Sequence, residues 1–149
     1  MRLSVHLALR LAAIAILLSA CSTPRIVVLN DPLSAREHVD LGLAYEHKGL
    51  LELAQKEYLK AADIEGSWAV PYFNLGNVAH RQKDLETAES CYRRALKLDP
   101  ANPDIMNNLA IVLHATGRTG EALVLIEGAL SIRKKDEYLD TERAIKGAP

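Results

Sequence analysis

The chain has 149 residues, of which 49% are hydrophobic and 25% charged, and its formal net charge is -1 at pH 7. This length suffices for one compact domain, and the apolar content is too high for intrinsic disorder. A nearly neutral chain with five tyrosines, one tryptophan and one phenylalanine lacks the basic stripe and the stacking aromatics of nucleic-acid binders, so we do not expect a nucleic-acid partner.

Residues 1–20 have the organisation of an export signal. Arg2 and Arg10 precede or enter an apolar run without acidic residues, and the small residues Ser19 and Ala20 lead to Cys21. A transmembrane anchor is the alternative interpretation, but the run is shorter than the roughly 20 apolar residues that cross a bilayer. We therefore predict a signal peptide that is removed after residue 20.

The sequence Leu18-Ser19-Ala20-Cys21 resembles the lipobox of bacterial lipoproteins, in which the cysteine becomes the acylated N-terminus. The resemblance implies lipidation of Cys21 and a lasting membrane attachment, since more than one acyl chain would be buried. Ser22 follows the cysteine, which resembles the signal for transfer to the outer membrane in two-membrane bacteria. The expected location is the bacterial cell envelope, at the periplasmic face of the outer membrane.

Residues 21–34 form a predicted tether. Pro24 and Pro32 flank the apolar string Ile26-Val27-Val28-Leu29. The twelve residues from Ser22 to Leu33 could span up to about 40 Å when fully extended. Two interpretations of the apolar string stay open, namely packing on the following domain and pairing with a strand of a partner.

The remaining chain contains a 34-residue repeat, which aligns without a gap when Ala35, Ala69 and Pro103 are the first positions. Position 7 is leucine in all three copies, and position 24 is Tyr58, Tyr92 or Ile126. Positions 8, 20 and 27 are always small. Position 8 is Gly42, Gly76 and Ala110; position 20 is Ala54, Ala88 and Ala122; and position 27 is Ala61, Ala95 and Ala129. Small residues let two helices approach closely, while large residues fill the space beside each crossing.

This pattern resembles the tetratricopeptide repeat (TPR). Its apolar positions fall three, four or seven residues apart, as on one face of a helix. The resemblance implies an all-α fold, a right-handed α-solenoid of three TPR helical hairpins at 35–68, 69–102 and 103–136, plus a C-terminal capping helix within 137–149. An ordinary helical bundle with accidental self-similarity is the alternative, and three gapless copies disfavour it.

Capping signals predict where the helices begin and end. Ser34 with Glu37 predicts a capping box, and Asn102 before a proline predicts an N-cap. Gly49 and Gly117 predict left-handed residues at helix ends. A polar seventh segment beginning at residue 137 is typical of the solvating cap of a terminal repeat. The six repeat helices are predicted at 35–48, 51–64, 69–82, 85–98, 103–116 and 119–132.

The TPR resemblance also implies a concave groove that is lined by the first helix of each hairpin. Positions 2, 5, 6, 9, 12 and 13 often point into this groove, and an asparagine amide there both donates and accepts hydrogen bonds. A row of asparagines can therefore bind the backbone of an extended peptide. The alternative is that these side chains are merely solvated. The candidate groove residues are Phe73, Asn74, Asn77, His80, Arg81, Asn107, Asn108, Ile111 and His114.

Some chaperone adaptors of the TPR family clamp a C-terminal carboxylate with Lys, Asn, Asn, Lys and Arg at fixed positions. The residues at those positions here are Val39, Leu43, Asn74, Asp104 and Asn108. Because one of the five matches, we do not expect a receptor for chaperone tails.

Other chemistry finds little support in the sequence. His80 and His114 recur at one position of successive repeats, but two imidazoles without a third ligand make a poor zinc site. Cys91 falls on an apolar helix face, which favours a small buried hydrophobe over a nucleophile. No phosphate-binding glycine loop, catalytic serine elbow or paired-carboxylate motif occurs. We expect no enzyme activity, no cofactor, no metal and no small-molecule substrate.

The predicted function is a membrane-anchored scaffold that binds a protein or extended peptide of a cell-envelope assembly in its groove. Lipoproteins of similar build assist type IV pilus secretin assembly or gather peptidoglycan enzymes, and architecture does not decide between these. The alternative starts from residues 29–42, which resemble repeat regions attached to exported C39-like cysteine peptidases. The chain would then be a stand-alone accessory subunit of such a system.

Overall fold

The computed structural model describes residues 31–147, which form seven α-helices and no strand. The predicted signal peptide, Cys21 and the apolar string of the tether lie outside the described residues. Within the described part, no helix combines the length and apolarity needed to cross a membrane. The helices are α1 Ala35–His47, α2 Leu51–Ile64, α3 Ala69–Arg81, α4 Leu85–Leu98, α5 Pro103–Ala115, α6 Thr119–Ile132 and α7 Asp136–Lys146.

The helix ends follow the predicted capping signals. Ser34 Oγ accepts the backbone N–H of Glu37 at 3.3 Å, and the Glu37 carboxylate accepts the N–H of Ser34 at 2.7 Å. The Asn102 side chain accepts the N–H groups of Asp104 and Ile105. Helices α1, α3 and α5 end one residue before their predicted ends because the last predicted residue is the C-cap. The second helix of each hairpin has the predicted bounds, and α7 begins one residue early.

The turn inside each hairpin contains a left-handed residue at position 15 of the repeat. Gly49 and Gly117 have φ of +73° and +83°, as the sequence predicts. In the second hairpin Lys83 has a φ of +64°. A left-handed conformation costs an L-residue about 1–2 kcal/mol, so this turn is imposed by the packing of α3 on α4 rather than by local preference.

The two helices of a hairpin meet where a glycine faces a tyrosine. A Cβ atom on Gly42 would lie 2.4 Å from the Tyr58 ring, and one on Gly76 would lie 2.5 Å from the Tyr92 ring. Both rings are fully buried. In the third hairpin Ala110 occupies the glycine position and the smaller Ile126 occupies the tyrosine position. The close crossing predicted from the repeat is therefore present in all three hairpins.

Neighbouring hairpins stack in chain order, with α2 against α3 and α4 against α5. One apolar cluster lies in the first hairpin and reaches α3, and a larger one extends from α3 to the last helix. The first cluster is bordered by a buried polar pair, in which His38 Nδ1 lies 2.7 Å from the Glu57 carboxylate. Stacking brings the first helices α1, α3 and α5 side by side, because α1 contacts α3 and α3 contacts α5.

Helix α7 closes the C-terminal end of the array by packing on α5 and α6. The ring of Tyr138 is completely buried there, and its hydroxyl donates to the Asp104 carboxylate. Lys135 Nζ lies 2.6 Å from the same carboxylate and Arg133 3.4 Å from it. Burial opposes the charge of Asp104, but the hydrogen bonds from Lys135 and Tyr138 outweigh it and hold the pKa of Asp104 below its usual value.

Replacement of Gly76 by alanine tests the close crossing. Gly76→Ala should lower the free energy of unfolding by about 1–3 kcal/mol, because the new methyl group overlaps the Tyr92 ring. Urea denaturation followed by circular dichroism measures the change. Gly120→Ala is the matched control, since nothing lies within 4 Å of its Cβ position. A second substitution, Tyr92→Ile, gives this hairpin the alanine and isoleucine pair of the third hairpin. It should lower the free energy of unfolding less in the Gly76→Ala background than in the wild type.

Asp104→Asn tests how α7 is held. Since folding lowers the pKa of Asp104, its carboxylate stabilises the cap above the ordinary carboxyl pKa, and this contribution is lost as pH falls through the lowered value. The variant should therefore show faster amide hydrogen exchange in α7 at neutral pH and less acid sensitivity of that helix. Exchange in α1 and α2 should not change. Wild-type protection of α7 in the variant would contradict this account.

Candidate functional site

Two adjoining cavities lie on the first helices of the hairpins. Both are bordered by Glu46 on α1 and by Asn77 and Arg81 on α3. The larger, of about 310 Å³, is lined by Glu46, Asn77, His80, Arg81, Tyr92, Asn108 and Ile111. The smaller, of about 160 Å³, is lined by Leu43, Glu46, His47, Asn74, Asn77 and Arg81. We call this pair of cavities the groove.

The groove brings together six of the nine residues that the sequence proposed, and these are Asn74, Asn77, His80, Arg81, Asn108 and Ile111. Phe73, Asn107 and His114 do not border either cavity. The Phe73 ring packs against Tyr92, which lines the larger cavity, with ring centroids 6.0 Å apart. His114 Nδ1 lies 3.5 Å from the hydroxyl of Thr119.

Two residues correct the expectation of four accessible asparagines in a row. Asn74 borders the smaller cavity but is only 7% exposed. Asn107 is 1% exposed, and its Nδ2 donates to Asn108 Oδ1 at 3.1 Å. The physical reason is its place at position 5 of the repeat, which faces the packed neighbours in every hairpin. Val39 is 4% exposed at that position and Phe73 packs on the core. Two apolar residues at position 5 were the signal in the sequence that this position is buried.

Asn77 lies at the centre of a hydrogen-bonded network with Tyr92 and Asn108, and we call these three lining residues the groove floor. Its Oδ1 accepts the Tyr92 hydroxyl at 2.8 Å and Asn108 Nδ2 at 2.9 Å. The Asn77 amide nitrogen makes no hydrogen bond with the described residues, so both its N–H groups can serve an acceptor in the groove. Burial raises the pKa of Tyr92, whose hydroxyl therefore stays protonated and acts as a donor.

Glu46 borders both cavities, is supported by the fully buried Tyr58, and was not among the candidate groove residues. The Glu46 carboxylate accepts the Tyr58 hydroxyl at 2.9 Å through one oxygen and Arg81 at 2.9 Å through the other. Burial, followed by the hydrogen bond to Glu46, raises the pKa of Tyr58. The signal in the sequence was a charge at position 12 of one repeat and an opposite charge at position 13 of the next.

Of the residues that suggested other chemistry, His80 borders the larger cavity, whereas His114 and Cys91 border neither cavity. The described residues contain no group of three His, Cys, Asp or Glu side chains placed to hold a metal ion. The thiol of Cys91 is half-buried rather than fully buried, since it packs at the margin of the first apolar cluster. Burial, and then the nearby charge of Asp84, raises the pKa of the Cys91 thiol, which disfavours the reactive thiolate.

Comparisons with known proteins agree with the geometry. Profiles of the tetratricopeptide repeat match residues 38–67, 69–102 and 91–124. Human tetratricopeptide repeat protein 6 is 31% identical over 70 residues, which are 47% of this chain and 14% of that protein. The type IV pilus assembly protein PilF of Pseudomonas aeruginosa is 32% identical over 85 residues, which are 57% of this chain and 34% of PilF. The chain thus spans a seventh to a third of these curated relatives.

A solved structure shows the same architecture. It is the first TPR of Spaghetti (RPAP3) bound to the HSP90 peptide SRMEEVD, with a TM-score of 0.74 and 21% sequence identity. The match covers 80% of this chain and 96% of that one. Because the sequence identity is low, this comparison shows similarity of the fold alone. The chain therefore carries tetratricopeptide repeats and adopts their all-α fold.

Proposed function

We propose that the chain is a membrane-anchored scaffold that holds an extended peptide or a subunit of a cell-envelope assembly in its groove. The observation that carries the binding part of this proposal is the pair of polar cavities across α1, α3 and α5. The structural neighbour from Spaghetti is itself bound to a peptide, which supports the same use of the fold here.

The chemistry of the groove suits a polypeptide backbone. Asn77 offers two amide N–H groups on a floor that is fixed by Tyr92 and Asn108. Leu43, which is 38% exposed, and Ile111 add apolar surface at the margins. An extended segment needs donors for its carbonyl groups and shallow apolar contacts for alternate side chains, and both are present.

The membrane part of the proposal is supported by the sequence. Leu18-Ser19-Ala20-Cys21 has the order of a lipobox, and the apolar run before it suits an export signal. The similarity to PilF, whose name refers to type IV pilus assembly, supports work in the bacterial envelope. Lipidation at Cys21 would hold the groove at the periplasmic face of the outer membrane. The role as an accessory of a C39-like peptidase stays the alternative, and neighbouring genes would distinguish the two.

Cys21→Ala tests the anchor. Without a thiol no diacylglyceryl group can be attached, so the variant should lose incorporation of radioactive palmitate and accumulate as an uncleaved precursor. Metabolic labelling and immunoblotting measure the two effects. Cys91→Ala is the matched control and should label like the wild type. Palmitate incorporation in the Cys21→Ala variant would contradict lipidation at this residue.

Asn77→Ala combined with Asn108→Ala tests the groove. Each lost hydrogen bond should cost about 0.5–1.5 kcal/mol of binding free energy, so loss of the two amides should weaken partner capture roughly tenfold. Cross-linking of the full lipoprotein in native envelopes, followed by quantitative mass spectrometry, measures capture and identifies the partner. Circular dichroism should show unchanged helicity.

The control for this experiment is Glu52→Ala with Lys56→Ala. Both residues are exposed on α2, away from the groove, and the pair leaves the net charge unchanged. It should capture partners like the wild type. If the asparagine variant also captures partners at the wild-type level, binding occurs on another face and the proposed function of the groove is wrong.

A further inference from the structure

An ion pair between Glu46 and Arg81 crosses the groove from the first repeat to the second. The two residues border both cavities, and Arg81 Nη1 lies 2.9 Å from Glu46 Oε1. A bound segment that occupies both cavities therefore has to pass this pair. Its charge and geometry decide which chemical groups the groove accepts.

Glu46 is held in place from below. Tyr58 is fully buried, and its hydroxyl donates to Glu46 Oε2 at 2.9 Å. If the carboxylate moved away, this buried hydroxyl would lose its acceptor, which is unfavourable. The Glu46 side chain is only 18% exposed, in keeping with a fixed position. A ligand is therefore not expected to displace Glu46.

Arg81 is held at one edge and open at the other. A guanidinium group has five N–H donors, and within residues 31–147 the Arg81 side chain hydrogen-bonds Glu46 through Nη1 and makes no other hydrogen bond. Its side chain is 46% exposed. Since Glu46 fixes the planar group through one nitrogen, the remaining N–H groups are oriented and available to an acceptor in the groove.

The charge of this donor is already balanced. Glu46 neutralises Arg81, while Asn74, Asn77 and Asn108 are uncharged. A free carboxylate entering the groove would gain no unpaired Lys or Arg among the described lining residues and would approach Glu46. A neutral carbonyl group would gain the same hydrogen bonds without that repulsion.

We propose that the groove selects an uncharged internal segment of its partner, and that Arg81, oriented by Glu46 and Tyr58, donates to a backbone carbonyl of that segment. A free C-terminal carboxylate is not selected. This inference rests on the proposed peptide-binding function and names the chemistry of the occupant. It makes Glu46 a positioning residue that also sets the charge preference.

The test uses two matched libraries of N-acetylated random heptapeptides, one with C-terminal amides and one with free acids. Each library is equilibrated with the full chain in detergent at pH 8. Bound peptides are quantified by mass spectrometry. The affinities of acid and amide forms of the bound sequences are then measured by fluorescence polarisation.

For the wild type, acid and amide forms should bind within about twofold of each other. Glu46→Gln keeps an acceptor for Tyr58 but removes the balancing charge, so the acid forms should then bind at least tenfold more tightly than the amides. Arg81→Gln should weaken both forms equally. Glu52→Gln, on the exposed face of α2, is the charge-matched control and should behave like the wild type.

A wild-type preference for free acids of tenfold or more would overturn the proposal, and so would an unchanged preference in Glu46→Gln at wild-type thermal stability. Absence of bound peptides from both libraries would also overturn it. In that case the envelope cross-linking experiment separates the two failures. If the asparagine variant still loses its partner, the scaffold function stands without this specificity, whereas wild-type capture by that variant defeats both.

Discussion

The close crossing of two helices at a glycine facing a tyrosine is the constraint on which this structure depends. Gly42 and Gly76 leave room for the rings of Tyr58 and Tyr92, and these buried rings set the distance and angle within each hairpin. Hairpins of equal geometry stack regularly, and regular stacking places α1, α3 and α5 side by side. The groove is therefore a product of core packing, and the hydroxyl groups of the same tyrosines donate to Glu46 and Asn77, which line it.

Most of the fold could be predicted from the sequence because the same pattern of small and large residues recurs in every repeat. The signals are local in the sequence and can be recognised without a structure. They are three gapless copies, small residues at fixed positions, and capping residues such as Ser34 with Glu37. The left-handed turn at Lys83 was missed for the opposite reason. Lysine does not favour a positive φ, so the residue type gives no sign of this turn. Lys83 occupies the same repeat position as Gly49 and Gly117, and the packing of α3 on α4 imposes the same conformation there.

The site was harder to predict than the fold. Repeat positions identified the helix face that lines the groove, but exposure depends on neighbours that are distant in the sequence. Asn107 was expected to be accessible and is buried, whereas Glu46 gains its importance from contacts with Tyr58 and Arg81, 12 and 35 residues away. The pairing of Glu46 with Arg81 crosses from one repeat to the next and is set by stacking geometry, so a periodic pattern read one repeat at a time does not contain it.

The third hairpin breaks the series in a way that gives the groove a direction. The hydroxyl groups of Tyr58 and Tyr92 donate to the lining residues Glu46 and Asn77, but Ile126 fills the same repeat position with a hydrocarbon. The lining thus passes from the charged pair of Glu46 and Arg81 in the first two repeats to the uncharged Asn108 and Ile111 of the third. A chain lying in it would meet unlike ends, so its two possible orientations would differ in energy and a single N-to-C polarity would be favoured.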